Sequence, residues 1–187
     1  MHWAKGITLQ PLLALLQRIP LDSPLVIHHR FATVGGDTPA LTHPFLLSSE
    51  PTPLEGSTRR GVLFHNGHWQ EWKTSLLHAI GARKEKLPSG PWSDSRTLAY
   101  LASVYGENYL DLIESQRTCT LTPDGFAIFG KDWSTHEECF VSNSYSFRET
   151  ETLGFQSRAE RRYSSYSGVE TKSSETPKVA SPVSLVV

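Results

Sequence analysis

Four clusters of polar side chains punctuate the first hundred residues, each at the end or the edge of an apolar run: HHRFATVGG at 28–36, THPF at 42–45, FHNGHW at 64–69 and SDS at 93–95. Their residue types suit the recognition of a small zwitterion. Arg30 offers a planar fork of N–H donors that matches a carboxylate with two parallel hydrogen bonds. Asp94 supplies the opposite charge for an ammonium group, Thr33 and the glycine turn after it add polar contacts, and His43 walls the space between. Each residue also has a plain structural use: Arg30 as partner to an acid, Asp94 as a helix N-cap, Asn66-Gly67 as a tight turn able to adopt positive φ. Taken singly, the structural use is favoured.

The elements that would position these clusters follow from periodicity. Residues 9–19, LQPLLALLQRI, place leucines at near-helical spacing, with Thr8 to cap, Pro11 in the first turn and Pro20 as the stop, and read as a helix packed on a sheet. A strand over 25–32 comes next, with Leu25, Ile27 and Phe31 on one face and Val26, His28 and Arg30 on the other. The Pro-, Ser- and charge-rich 48–60 stretch reads as a mobile loop, a flap beside the pocket. A strand over 61–65 carries Asn66-Gly67 at its end, and a helix over 69–80 is closed by Gly81. Ser93 or Asp94 caps a helix from 95 to 103 or beyond, which Gly106 interrupts before 109–113 resume it. The 126–130 and 138–142 segments read as a strand pair around KDWSTH. Strands in pairs and helices in pairs indicate layered α+β structure rather than a βαβ repeat. From 148 onward serine is frequent, charges of both signs alternate and apolar residues thin out, so 148–187 reads as a disordered tail whose VSLVV end is its one candidate for docking.

A chain of 187 residues with 38% hydrophobic residues can form one core. A net charge of −1 gives no reason to expect a nucleic acid or a membrane surface as partner. There is no run of apolar residues long enough to span a bilayer and no signal-peptide layout, and Cys119 and Cys139 form no CxxC pair, all of which point to the cytoplasm. The histidines 28, 29, 43, 65 and 68, with Asp37, raise the alternative of a metal-dependent hydrolase. Against it, His28 and His29 point to opposite strand faces and no HExxH spacing occurs.

In this order and spacing the clusters resemble class II glutamine amidotransferases, the N-terminal nucleophile hydrolases. Arg30-Phe31-Ala32-Thr33 with its glycines, His43-Pro44, His65-Asn66-Gly67 and the acidic SDS segment each resemble a motif of that family, and SNSYSF at 142–147 is similar to endings of its short stand-alone phage and bacterial members. The likeness covers about residues 6–147. It implies a layered αββα sandwich and hydrolysis of glutamine to glutamate and ammonia through a thioester, with no cofactor or metal. Asn66 and Gly67 would donate the oxyanion hole, Arg30, Thr33, His43 and Asp94 would bind glutamine, and a separate synthetase would accept the ammonia.

The chain departs from the pattern at its start. The family's nucleophile is an N-terminal Cys whose own α-amine acts as base, whereas this chain begins Met1-His2. Cys119 and Cys139 lie far downstream and read as small buried residues. The expectation is therefore a fold incomplete at its N-terminus and without glutaminase activity as it stands. The alternative is a non-catalytic glutamine-binding or protein-interaction module derived from the same fold. Missing strands would expose a sheet edge and favour a homo-oligomer.

Overall fold

The computed structural model describes residues 1–20, 23–29, 38–136, 139–143 and 184–186. Strand β1 (His2–Ala4) leads to helix α1 (Leu9–Leu16), strand β2 (Leu25–Ile27), a 3-10 turn at Pro39–Leu41, and strands β3 (Phe45–Leu46), β4 (Glu55–Ser57) and β5 (Val62–Asn66). Helices α2 (Trp72–Arg83) and α3 (Asp94–Tyr105) follow, then a 3-10 turn at Glu107–Leu112. Strands β6 (Arg117–Thr122), β7 (Gly125–Phe129), β8 (Ser134–His136), β9 (Cys139–Val141) and β10 (Ser184–Val186) complete the described chain. The architecture is mixed α and β, with mostly antiparallel sheets.

The antiparallel sheet β3-β5-β6-β7 is central, and the two-residue period of its strands divides the molecule. Leu63, Ala127 and Phe129 face one way and join Leu76, Ala79, Ile80, Leu98 and Leu101 of α2 and α3. Val62, Phe64, Cys119, Phe126 and Ile128 face the other way and meet Val26 of β2 and Phe140 of β9. A helix pair thus lies on one face and the sheet β2-β10-β9-β8 on the other. β10 lies between β2 and β9 and runs parallel to both.

Ser93 is the N-cap of α3, its Oγ accepting from Arg96 N–H at 3.1 Å, and Asp94 is the first helical residue, where a negative charge meets the positive end of the helix dipole. Gly106, at φ 88, ends that helix before the next 3-10 turn, as the sequence indicated.

Several expectations need correction. Helix α1 forms but buries none of its residues, leaving Leu9, Leu13 and Leu15 exposed rather than packed on a sheet. The 48–60 stretch is not a free flap: Glu55–Ser57 pair antiparallel with His2–Ala4, Pro53 O accepts from Trp3 Nε1 at 3.1 Å, and Thr52 Oγ1 accepts from Leu46 N–H at 2.7 Å. Gly81 does not end α2, which runs to Arg83 and closes on Lys84 at φ 52. The closing strands pair differently too, β7 with β6 in the central sheet and β9 with β8 in the other, because β6 inserts before them. Of the 148–187 tail only Ser184–Val186 are described, and they are a strand; the rest, like residue 31 and the remainder of the expected 25–32 strand beyond His29, lies outside the described residues.

Among the described residues no helix is long and apolar enough to cross a membrane.

Candidate functional site

The carboxy-terminal end of β5 carries His65 and Asn66 on opposite faces of the central sheet. His65 faces the helices. Its Nδ1 lies 2.9 Å from Ser95 Oγ on α3, and its Nε2 lies 2.9 Å from Gln116 Oε1. The Gln116 amide nitrogen donates to Ser115 Oγ at 3.0 Å and to His68 O at 3.4 Å, so Oε1 is the acceptor and His65 Nε2 carries the proton. Nδ1 is then left to accept from the Ser95 hydroxyl. Burial holds the imidazole below its usual pKa, against the opposing pull of the Asp94 carboxylate and the Gln116 hydrogen bond, with His68 adding to the lowering. His65 is neutral, and both ring nitrogens are engaged within the protein.

The turn after Asn66 is tied down by the same residues. A Cβ at Gly67, which has φ 154, would overlap Gln116 Oε1 and come within 3.0 Å of His65 Nε2, so no side chain fits there without breaking that hydrogen bond. Two residues on, Trp69 N–H donates to Asp94 Oδ2 at 3.2 Å, and His68 Nδ1 lies 3.8 Å from the same oxygen. Asp94 Oδ1 accepts from Ser95 N–H at 2.8 Å. Asp94 is thus anchored to the turn and to its own helix start, with a partly exposed carboxylate.

Asn66 faces the second sheet, where its Nδ2 donates to Ser142 Oγ, just beyond β9, at 2.8 Å. One of its two N–H groups is oriented by that bond. Gly67 is exposed beside it.

His43 lies two residues before β3, beside His65. Its ring lies 6.5 Å from that of His65, 3.9 Å from His28, 5.1 Å from Phe45 and 6.4 Å from Phe64, and the His43-Pro44 peptide is cis. His28 Nε2 lies 3.3 Å from His65 O.

Of the residues singled out from the sequence, Asn66 and Gly67 end β5 with Asn66 toward the second sheet, Asp94 is bonded to the following turn through Trp69 N–H, and the His43 ring lies beside His65. Arg30 and Thr33 lie outside the described residues. Of the metal alternative, His28, His43, His65 and His68 do gather, but among the described residues no three His, Cys, Asp or Glu side chains are arranged to hold an ion.

Three residues of the site carry little or no signal in the sequence. Ser95 is visible there as a helix-start serine and as the last residue of SDS, with nothing to pair it with His65. Gln116 sits at a strand border with no local pattern to mark it, and Ser142 is visible only as the start of SNSYSF; the closure of the sheets brings both to the turn.

Cys119 is buried in the core between the sheets, and burial, together with the Glu107 carboxylate, pushes its thiol well above the ordinary value. It is an unreactive packing residue.

Compared with known proteins, the chain matches no family model, no curated sequence and no solved structure.

Proposed function

We propose that this chain carries the amino-acid pocket of a class II glutamine amidotransferase-type domain, and that by itself it binds glutamine or a related amino acid without hydrolysing it. The observation that carries the reading is that Asn66-Gly67 ends β5, that Asp94 is bonded to the turn just after it at Trp69 N–H, and that the His43 ring lies 6.5 Å from that of the neighbouring His65. They belong to three of the four motifs whose order resembles that family. Their chemistry is complementary to the ligand: an amide donor at Asn66, an exposed turn at Gly67 for a developing oxyanion, and a carboxylate at Asp94 for an ammonium. Arg30 and Thr33 complete the set in this proposal, holding the α-carboxylate. The stacking of a helix pair on one four-stranded sheet and then another agrees with three of the four layers of an αββα sandwich.

Hydrolysis would begin with attack of a thiolate on the side-chain amide, ammonia leaving as a thioester forms, followed by attack of water to release glutamate. Cys119 cannot open that sequence because its thiol is sealed and protonated. In a complete system the released ammonia would pass to a separate synthetase.

Calorimetric titration of the chain with L-glutamine tests the reading. Saturable binding is expected, weakened about tenfold by Asp94→Asn, which leaves a neutral amide where the ammonium needs a charge. Glutamate release is expected to be absent. No saturable binding of any amino acid would sink the proposal. Release that survives replacement of both cysteines by alanine would move the chemistry to another nucleophile.

A further inference from the structure

Arg117 stands directly across from Asn66 in the last rung of the β5–β6 ladder. Cross-strand neighbours project to the same face with their Cβ atoms about 5 Å apart. Two residues along β6, Cys119 belongs to the core between the sheets, so Arg117 and Asn66 both face that interface at its open end. Arg117 is half-buried, its Nε is shut off from solvent, and that nitrogen has no hydrogen-bond partner. No carboxylate among the described residues pairs with its guanidinium.

A guanidinium with no acid beside it among the described residues is open to an anionic ligand. Its neighbour Asn66 is already held in a donor orientation by Ser142 Oγ at 2.8 Å. The strand end thus presents a cation and an amide N–H side by side, which is a carboxylate-recognition pair rather than an amide-recognition one. We propose that Arg117 is a ligand-binding residue of this site, and that it makes the pocket prefer an amino acid with a side-chain carboxylate, such as glutamate, over its neutral amide. The preference rests on the proposed amino-acid pocket; the role of Arg117 as a carboxylate receptor rests on its geometry alone. A carboxylate gains a charge-assisted, two-pronged contact with a guanidinium that glutamine's amide cannot match. Such a difference is typically about tenfold or more in affinity.

Two titrations of the full chain separate the claims. In the first, acetate is the probe and the Arg117 Nε–H resonance is followed by NMR, assigned by its loss in Arg117→Met. A saturable shift of that resonance is expected; no shift overturns the inference even if glutamine binds. In the second, glutamate and glutamine are compared by calorimetry. Glutamate is expected to bind about tenfold tighter, with Arg117→Met abolishing the difference by weakening glutamate alone, and Arg117→Lys, which keeps the charge but not the fork, restoring part of it. Equal binding of the two, or a preference untouched by Arg117→Met, overturns the inference and leaves the pocket reading standing. An acetate shift at Arg117 with no binding of either amino acid does the opposite, keeping the carboxylate receptor and removing the amino-acid pocket. A marked fall in melting temperature for Arg117→Met, with the acetate response lost only through unfolding, would assign Arg117 a structural role and overturn the inference.

Discussion

His65 sits between two hydrogen-bond partners, Ser95 Oγ at Nδ1 and Gln116 Oε1 at Nε2. Protonation would place a second hydrogen on Nδ1, facing the Ser95 hydroxyl, in a buried setting that already lowers the imidazole pKa. The consequence for stability has a definite sign. The unfolded chain takes up a proton on this residue near pH 6.5, whereas the folded chain does so only at lower pH. His65 therefore contributes stability that is complete above pH 6.5 and is lost as pH falls toward the folded value, at about 1.4 kcal/mol per pH unit within that window. Urea denaturation between pH 8 and pH 5 should lose this part of its slope in His65→Gln, while the contributions of the other histidines remain. Identical slopes for the two proteins would mean that the buried imidazole is protonated as easily as a free one.

At the level of elements, α2 illustrates how a local rule yields to packing. Its sequence, WKTSLLHAIGAR, contains a glycine that reads as a terminator, yet the helix continues through it to Arg83. Leu76, Ala79 and Ile80 are buried against the central sheet and α3, and that contact outweighs the unfavourable propensity of one glycine. Nothing lies within 4 Å of a Cβ built on Gly81. Gly81→Ala is therefore expected to raise stability by about 0.5–1 kcal/mol, since it removes backbone freedom from the unfolded chain and meets no clash. Thermal unfolding is the check, and a lowered melting temperature would show that Gly81 needs a conformation alanine cannot take. The opposite lesson comes from α1, whose leucine spacing encodes a helix correctly while saying nothing of what covers it.

Across the whole molecule, Lys5 ties the small β1-β4 sheet to the central one. Its backbone N–H donates to Leu54 O at 2.7 Å, its Nζ to Ala40 O at 3.1 Å, and the ammonium lies 4.7 Å from the centre of the Phe45 ring. The side chain is buried, and desolvation, with the positive Arg96 nearby, brings its pKa down to about 8. Between pH 8 and pH 10.5 the folded protein binds fewer protons at this residue than the unfolded chain, so stability rises with pH across that window. Below pH 8 the full cost of burying the charge is present. Lys5→Met should therefore stabilise the protein by about 1–2 kcal/mol at pH 7, after allowing for the lost hydrogen bond, and should remove the alkaline rise. A destabilised Lys5→Met would mean that the contacts to Ala40 O and Phe45 outweigh the desolvation.

Periodicity and capping residues by themselves determined the locally encoded parts of this protein. The strand that ends in Asn66-Gly67, the helix starting at Ser93, the break at Gly106 and the inertness of Cys119 all depend on residues within one or two turns of each other or on simple burial. Mixed α and β layering also followed from the order of these elements. Only the tertiary structure decided the pairing. β6, RTCTLT, has an alternation hidden by threonines, and Thr118 and Thr120 prove to be buried on the helix side, with Thr120 Oγ1 donating to Glu107 Oε2. The partnership of residues 2–4 with 55–57 spans half a hundred residues and left no trace in either segment. The candidate site has the same division. Asn66, Gly67 and Asp94 were legible because turns and helix starts demand particular residue types. Gln116 and Arg117 were not, and Ser142 only as part of SNSYSF, since a side chain at a strand border acquires its role from the strand laid beside it, and that choice is made by the burial of two sheet faces at once.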